Sequence, residues 1–147
     1  KDQESLKDQK TFLRFPSKMI EAADGTLYIS DSGHHRILRI NGEGKVLEEI
    51  GGGKPGFQDG GFASAAFYEP HGLALKGDFL YVADTKNNRI RKVDLKNKTV
   101  TTIAGNGKLD YYFGEKRWNE SVNPNSPWDL WIADNQMYIA NAGNHQI

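Results

Sequence analysis

The chain has 147 residues, which is long enough for one domain with a hydrophobic core. Its 19 basic and 19 acidic side chains balance, so no net charge draws it toward nucleic acid or an acidic membrane surface. The absence of cysteine excludes disulfides, thiolate metal ligands and thiol catalysis. No apolar run approaches the roughly 20 residues of a membrane helix, so we expect a soluble chain whose compartment the composition does not reveal.

The chain begins with a polar and charged segment, KDQESLKDQKT. It lacks the apolar stretch of a secretory signal. We interpret residues 1–11 as a linker or tail, and we place the folded domain at 12–147.

Three short stretches of the sequence are nearly the same. DSGHHRI begins at residue 31, DTKNNRI at residue 84 and NAGNHQI at residue 141. They therefore begin 53 and 57 residues apart. Self-similarity at a period of this size is typical of repeat architectures, in which each repeat is one small unit of secondary structure.

Each repeat unit has the same order of segments. Pro16, Pro70 or Pro127 opens a short segment, an apolar strand follows (LYIS, LYVA or MYIA), and the repeated turn leads into RILRI or RIRKV. The first two units continue into an outer strand, KVLEEI or KTVTTI. Four short strands at a period just above 50 predict the blades of an all-β propeller. No stretch of helical periodicity is long enough for the crossover of a parallel βαβ unit.

The units cover about residues 16–50, 70–104 and 127–147, so we predict about two and a half blades of four antiparallel strands. The second strand of each unit is apolar at almost every position, which predicts that both of its faces are covered. RIRKV alternates between apolar and charged residues, and we expect it to be more exposed. The outermost strand carries charge and threonine, as an edge that faces water does.

These motifs resemble the NHL-repeat family of β-propellers over most of the chain. The resemblance rests on the proline at the start of each unit, on L/M-Y-I/V-S/A-D/N, and on four turn residues followed by R/Q-I. The connector GFQDGGFASAAFYEPHGLAL and the stretch TVTTIAGNG are also similar. The resemblance implies a fragment of a ring of about six blades. It is closest to propellers that follow a thioredoxin-like domain, which would make the N-terminal segment an interdomain linker.

An incomplete ring leaves the apolar flanks of its end blades exposed to solvent. We therefore expect these flanks to be covered, either by self-association of the chain or by further parts of the ring.

One pair of residues in the repeated turn changes together, from Asp and Arg to Asn and Gln. The pairs are Asp31 and Arg36, Asp84 and Arg89, and Asn141 and Gln146. We predict that the two side chains of each pair touch or share a backbone partner, so that they act as structural turn clamps. His34, His35 and His145 lie in the variable middle of the turn, and we interpret them as exposed turn residues rather than a metal cluster.

The candidate binding face follows from the order of strands in a blade. In a four-stranded meander the connectors between blades (51–70 and 105–126), the repeated turns and the starts of the innermost strands share one face. Loops held on a rigid scaffold commonly carry binding sites. The candidate residues on this face are one histidine and four aromatic residues: His71, Tyr111, Tyr112, Trp118 and Trp128. The aromatics of the second connector fit equally well with packing beneath their own long loop.

The preferred function is an interaction or scaffold module that presents this face to a protein partner or to a fused domain. The sequence assigns no catalytic residue and no cofactor. The alternative is a metal-dependent lyase, because the peptidylamidoglycolate lyases resemble this fold and bind zinc through histidines in Pro-His-Gly-like positions. His71 in EPHGL would be one ligand, but Ser17 and Trp128 take the equivalent places, and a catalytic zinc needs about three protein ligands. We therefore predict a metal-free His71, hydrogen-bonded to the backbone of a neighbouring blade or to water.

RNA binding is the further alternative. The resemblance extends to NHL propellers fused to ubiquitin-ligase modules, and RNA binding is known among those propellers. RNA binding needs a basic face with aromatic side chains that stack on bases. Asp59, Asp110, Glu115 and Glu120 lie among the lysines and arginines of the connectors. This balance of charge favours neither nucleic acid nor a membrane as a partner.

Overall fold

The computed structural model describes residues 12–109 and 123–143, and these residues form an all-β structure. Two three-residue 3₁₀ turns, Ser32–His34 and Thr85–Asn87, are the helical elements of this described part. Its strands, in chain order, are β1 (Pro16–Glu21), β2 (Leu27–Asp31), β3 (Arg36–Ile40), β4 (Val46–Ile50), β5 (Gly60–Gly61), β6 (Pro70–Lys76), β7 (Phe79–Asp84), β8 (Arg89–Asp94), β9 (Thr99–Ala104), β10 (Pro127–Ala133) and β11 (Gln136–Asn141).

The strands form three antiparallel sheets that follow the repeat units. The first sheet has the order β1-β2-β3-β4, the second β5-β9-β8-β7-β6, and the third contains β10 and β11. The innermost strand of the second sheet, β6, contacts both β1 and β10. The second sheet therefore lies between the other two. These meanders confirm the predicted all-β propeller blades. In the described ranges no helix has the length and apolarity needed to cross a bilayer.

The connector between the first two sheets is part of the fold as well as of its surface. Gly60 and Gly61 pair with Val100 and Thr99, which makes them a short fifth strand at the outer edge of the second sheet. Phe62, Ala65 and Phe67 of the same connector are buried in the core. The prediction that all of 51–70 lies on one face is thus corrected, because the connector must run between the sheets to reach β6 and buries its apolar side chains on the way.

The core consists of two apolar clusters, one on each side of the second sheet. Neighbouring residues of β7 point into different clusters: Val82 packs with residues of the first sheet and its connector, and Ala83 packs with Leu130 and Ile139 of the third sheet. The predicted coverage of both faces of this apolar strand is thereby confirmed for the second unit.

Strand β8, RIRKV, is more buried than its sequence predicts. Ile90, Arg91 and Val93 are all fully inaccessible to solvent. The expectation of exposure was wrong because the second sheet has a neighbour on each side. Arg91 is tolerated there because the connector supplies hydrogen-bond acceptors for its guanidinium.

Candidate functional site

Each innermost strand begins with a tight bend immediately before its proline. The residue before the proline has a left-handed backbone in all three units: φ is 49° at Phe15, 48° at Glu69 and 48° at Ser126. Non-glycine residues rarely adopt this conformation, so the surrounding contacts must hold it in place. The repeated turns provide these contacts.

In the first unit the Asp31 carboxylate holds both the bend and the turn. Oδ1 accepts a hydrogen bond from the backbone N–H of Arg14 at 2.7 Å. Oδ2 accepts one from Nε of Arg36 and one from Nδ1 of His34, both at 2.9 Å. The carboxylate is fully buried. The structure thus brings Asp31 and Arg36 into direct contact, and it places His34 in the same network rather than free in solvent.

In the second unit Asp84 does the same with a different arginine. Oδ1 accepts the N–H of Tyr68 at 2.8 Å, and Oδ2 accepts hydrogen bonds from Asn87 at 2.8 Å and from Nη1 of Arg91 at 2.7 Å. Burial raises the pKa of the Asp84 carboxyl, and the hydrogen bonds from these three partners oppose that rise.

The side chains of Asp84 and Arg89, which the sequence predicts to touch or to share a backbone partner, do neither. Arg89 donates to the carbonyl of Asn87 at 3.2 Å, and its guanidinium lies 3.6 Å from the ring centre of the half-exposed Phe57. Arg91 is fully buried and its charge requires a carboxylate nearby, whereas Arg89 reaches an aromatic ring at the surface.

Arg91 also fastens the connector to the second sheet. Nη1 donates to the carbonyl of Ala66 at 2.8 Å, and Nη2 donates to the carbonyl of Gln58 at 2.7 Å and to the carboxylate of Asp59 at 2.8 Å. This role was missed in the sequence. One signal in the sequence pointed to burial of Arg91: the equivalent residue of the first unit is the apolar Leu38, which is buried.

The third turn is described as far as Gly143, so Gln146 and His145 lie outside the described residues. Asn141 occupies the position of Asp31 and Asp84, and its buried Oδ1 has no hydrogen-bond partner in the part of the chain that the structure describes. The pairing of Asn141 with Gln146 stays a prediction.

Two further side chains in each of the first two turns reach across to the next unit. The hydroxyl that follows the aspartate donates to the carbonyl of the next proline, from Ser32 to Pro70 and from Thr85 to Pro127, the latter at 2.6 Å. These bonds between blades were missed in the sequence, where they leave a signal: DS and DT in the first two turns become NA in the third.

The left-handed residue at the end of each 3₁₀ turn makes the second of these links. The backbone N–H of Glu69 donates to Nδ1 of His35 at 3.1 Å, and that of Ser126 donates to Oδ1 of Asn88 at 2.8 Å. Burial lowers the pKa of His35, the Glu69 carboxylate opposes this effect, and Arg14 and His34 reinforce it.

His71 lies where the second and third units meet. Its Nδ1 lies 2.9 Å from the carbonyl of Glu69 and 3.1 Å from the hydroxyl of Thr85, so the contacts fall within its own unit rather than on a neighbouring blade's backbone. Its ring stacks on Trp128 with the centroids 4.2 Å apart. Among the described residues no group of three or more metal-binding side chains exists, around His71 or elsewhere.

Close approach of the innermost strands explains one glycine. A Cβ on Gly72 would lie 2.4 Å from Cα of Asp129 and 2.8 Å from the carbonyl oxygen of Trp128. The equivalent residue of the first unit, Lys18, forms an ion pair with Asp129 at 2.8 Å. Gly72 thus allows β10 to pack against β6, and the lysine of the first unit reaches the third.

A cavity of about 280 Å³ opens beside these bends, between the first and second units. Its lining includes Arg14, Phe15, His35, Glu69 and His71. It therefore combines one cationic and one anionic side chain with two imidazoles and an aromatic ring.

Exposed aromatic rings line the cavity or contact its imidazole side chains. Phe15 is 76% exposed, Trp128 52% and Tyr68 40%, and the Tyr68 ring also contacts the His35 ring in a T-shaped arrangement. We call Phe15, Tyr68, Glu69, His71 and Trp128 the connector face. The predicted members Tyr111, Tyr112 and Trp118 lie outside the described residues, so their part in this face stays a prediction.

Comparison with known proteins agrees with this architecture. The sequence model of the NHL-repeat family matches residues 67–93 of this chain. The chain is 41% identical to NHL repeat-containing protein 2 of Gallus gallus, over 92% of this chain and 20% of that protein. It is 46% identical to Protein SUPPRESSOR OF QUENCHING 1, chloroplastic, of Arabidopsis thaliana, over 92% of this chain and 13% of that protein. The chain thus spans about a fifth or less of the length of these relatives.

Solved structures give the same fold. A structural genomics protein of unknown function from Bacteroides thetaiotaomicron superposes with a TM-score of 0.77 at 25% identity, over 89% of this chain and 33% of that one. An auxiliary nutrient binding protein from Bacteroides ovatus superposes with a TM-score of 0.68 at 24% identity, over 87% and 35%. With the blades and repeated turns described above, these matches show that the chain carries an NHL repeat at residues 67–93 and has the fold of part of an NHL-type β-propeller.

Proposed function

We propose that this chain is a protein-binding module that uses the connector face to hold a segment of a partner protein. The observation that carries the proposal is the exposure of Phe15, which lines the cavity, and of Trp128, which stacks on the cavity residue His71 and is held in place by it. Large aromatic side chains fixed on a rigid scaffold contribute much of the binding energy at protein interfaces.

The repeated turns support this face without being the binding groups. The carboxylates of Asp31 and Asp84 are fully buried, and each of their oxygens already accepts hydrogen bonds from the chain. They have no exposed surface to offer a partner. Their contribution is to hold the bends that present Phe15 and Glu69.

The partner segment that fits this face is apolar and uncharged overall. The aromatic rings favour apolar or aromatic residues, and the cavity has Arg14 and Glu69 in its lining, so its charges cancel. We propose that the segment belongs either to a separate protein or to another domain of the same polypeptide, such as the thioredoxin-like domain that the sequence resemblance implies.

Neither alternative function is favoured by an observation. A lyase of the zinc type needs about three ligands, and within the described ranges His71 belongs to no group of three or more side chains that could hold a metal ion. RNA binding needs a basic face, and the connector face includes the acidic Glu69, which lines the cavity.

A random linear peptide library displayed on phage tests the proposal. Peptides selected on the chain should bind Phe15→Ser at least about tenfold more weakly than the wild type, since aromatic anchors dominate such interfaces. Leu47→Ser is the matched control, because Leu47 is an exposed apolar residue of β4, away from this face. Selected peptides that bind Phe15→Ser as well as the wild type, or a selection that yields no binder, would refute the proposal.

A further inference from the structure

The junction between the first and second units differs from the next junction in one chemical respect. At both junctions the side chain of a residue with a left-handed backbone accepts a hydrogen bond from the backbone N–H of the residue before the next proline. At the first junction the acceptor is the imidazole of His35, with φ of 55°, and at the second it is the amide of Asn88, with φ of 51°. Imidazole gains a proton in mildly acidic solution, whereas an amide does not.

The hydrogen bond from Glu69 fixes the protonation state of His35. Nδ1 can accept the Glu69 N–H at 3.1 Å only with its lone pair, so this ring is neutral and carries its proton on Nε2. A second proton would have to bind at Nδ1. It would remove the acceptor and set two N–H groups against each other, so the Glu69 amide would lose its partner.

Charged and titratable groups from several elements surround the His35 ring. Glu69 of the connector favours protonation, while Arg14, which precedes β1, and His34 of the same turn disfavour it. The rings of Tyr68 and His35 are nearly perpendicular, and Gly51, which follows β4, packs near the His35 carbonyl without a charge. Partial burial is the largest of these effects and also disfavours protonation, so the neutral ring is favoured in the folded chain near neutral pH.

Other hydrogen bonds across the same junction do not depend on this proton. The hydroxyl of Ser30 donates to the carbonyl of His71 at 2.7 Å, and Ser32 donates to the carbonyl of Pro70. Loss of the His35 bond therefore releases the bend at Glu69, while the N–H of Tyr68 stays bonded to Asp84 and the two sheets stay packed. Glu69 and His35 both line the cavity, so this movement changes the cavity's shape.

We propose that His35 is a proton-sensitive joint: its protonation in mildly acidic solution frees the Glu69 bend and remodels the cavity between the first and second units. The joint is a property of the fold and does not depend on what the connector face binds. Its counterpart at Asn88 has the same geometry without a titratable group, and it provides an internal reference.

Amide hydrogen exchange of the full chain, measured by NMR at several pH values, tests this proposal. Protection of the Glu69 amide should fall by up to about tenfold for each pH unit below about 6.5, down to the lower pKa of His35 in the folded chain, because opening then takes up one proton. Protection of the Ser126 amide should not show this fall. In His35→Asn, which copies the second junction, the pH response at Glu69 should disappear.

His34→Asn is the matched control, because Asn87 stands at that place in the second turn and donates to Asp84 as His34 does to Asp31. This variant should keep the pH response at Glu69. Asn88→His should transfer the response to the Ser126 amide. Equal pH responses of Glu69 and Ser126 in the wild type, or a response at Glu69 that survives His35→Asn, would overturn the proposal.

Discussion

Asp84 and Arg91 form an ion pair in which neither side chain is exposed, with Nη1 of the arginine 2.7 Å from Oδ2 of the aspartate. The pair joins three parts of the second unit: the turn after β7, strand β8 and the connector that carries Gln58 and Ala66. A buried charge that loses its partner is strongly destabilising, so the pair makes the turn and the connector depend on each other.

Replacing Asp84 by asparagine should lower the free energy of unfolding by about 3 kcal/mol, because the Arg91 guanidinium would lose its buried carboxylate. Arg89→Gln should change it by less than about 1 kcal/mol, since Arg89 makes one carbonyl hydrogen bond and one cation–π contact near the surface. Urea denaturation of the single variants at Asp84, Arg89 and Arg91, and of the two double variants that include Asp84, gives the coupling energies of Asp84 with each arginine. Stronger coupling of Asp84 to Arg89 than to Arg91 would contradict this pairing.

Loss of the Thr85 hydroxyl should weaken the junction between the second and third units. Thr85→Val keeps the shape of the side chain but leaves the carbonyl of Pro127 without its buried donor, which should cost about 1–3 kcal/mol in unfolding free energy. Thr85→Ser keeps the hydroxyl and should recover most of the stability. Thermal unfolding of both variants decides the matter, and equal destabilisation by valine and serine would show that the hydroxyl is not the cause.

A methyl group on Gly72 should force β6 and β10 apart. Its Cβ would meet the backbone of Asp129 and Trp128, which cannot move aside as a flexible side chain would, so we expect Gly72→Ala to cost about 1–3 kcal/mol. Gly42→Ala is the control, because a Cβ there meets nothing within 4 Å and the backbone is not left-handed. A fully stable Gly72→Ala variant would contradict the close packing of these strands.

Exposed aromatics on the third sheet should make the isolated chain associate with itself. Trp131, 69% exposed, lies opposite Tyr138, 45% exposed, in the register of β10 and β11. Together they form an apolar patch of the kind that proteins usually cover. Trp131→Ser should shift the chain toward the monomer in sedimentation velocity at micromolar concentration, and an unchanged distribution would exclude this patch as the contact.

The sequence predicts the blades well because the relevant information is local and periodic. The spacing of Pro16, Pro70 and Pro127 and the apolar stretches after them set the number of strands and their order. The sequence does not show which groups pair with a charged side chain such as that of Arg91. Arg91 looks like an exposed residue of an alternating strand, and its burial depends on the carbonyls of Gln58 and Ala66, which are 33 and 25 residues away in the chain.

The candidate face was predicted in part for a similar reason. His71 and Trp128 were named from their places after the repeated prolines, and the structure stacks their rings together. Phe15 was missed, because the equivalent residues of the other units, Glu69 and Ser126, are polar and show no common chemistry. What these three residues share is a left-handed backbone, which a sequence motif does not display.

The central claim is that the connector face binds a partner while the repeated turns only hold that face in place. Titration calorimetry of a phage-selected peptide against the wild type and Trp128→Ser, combined with urea denaturation of both proteins, tests it most directly. We predict at least about tenfold weaker binding by Trp128→Ser, with an unfolding free energy lowered by no more than about 1.5 kcal/mol through loss of the stacking on His71. Unchanged affinity in a folded Trp128→Ser protein would contradict the claim.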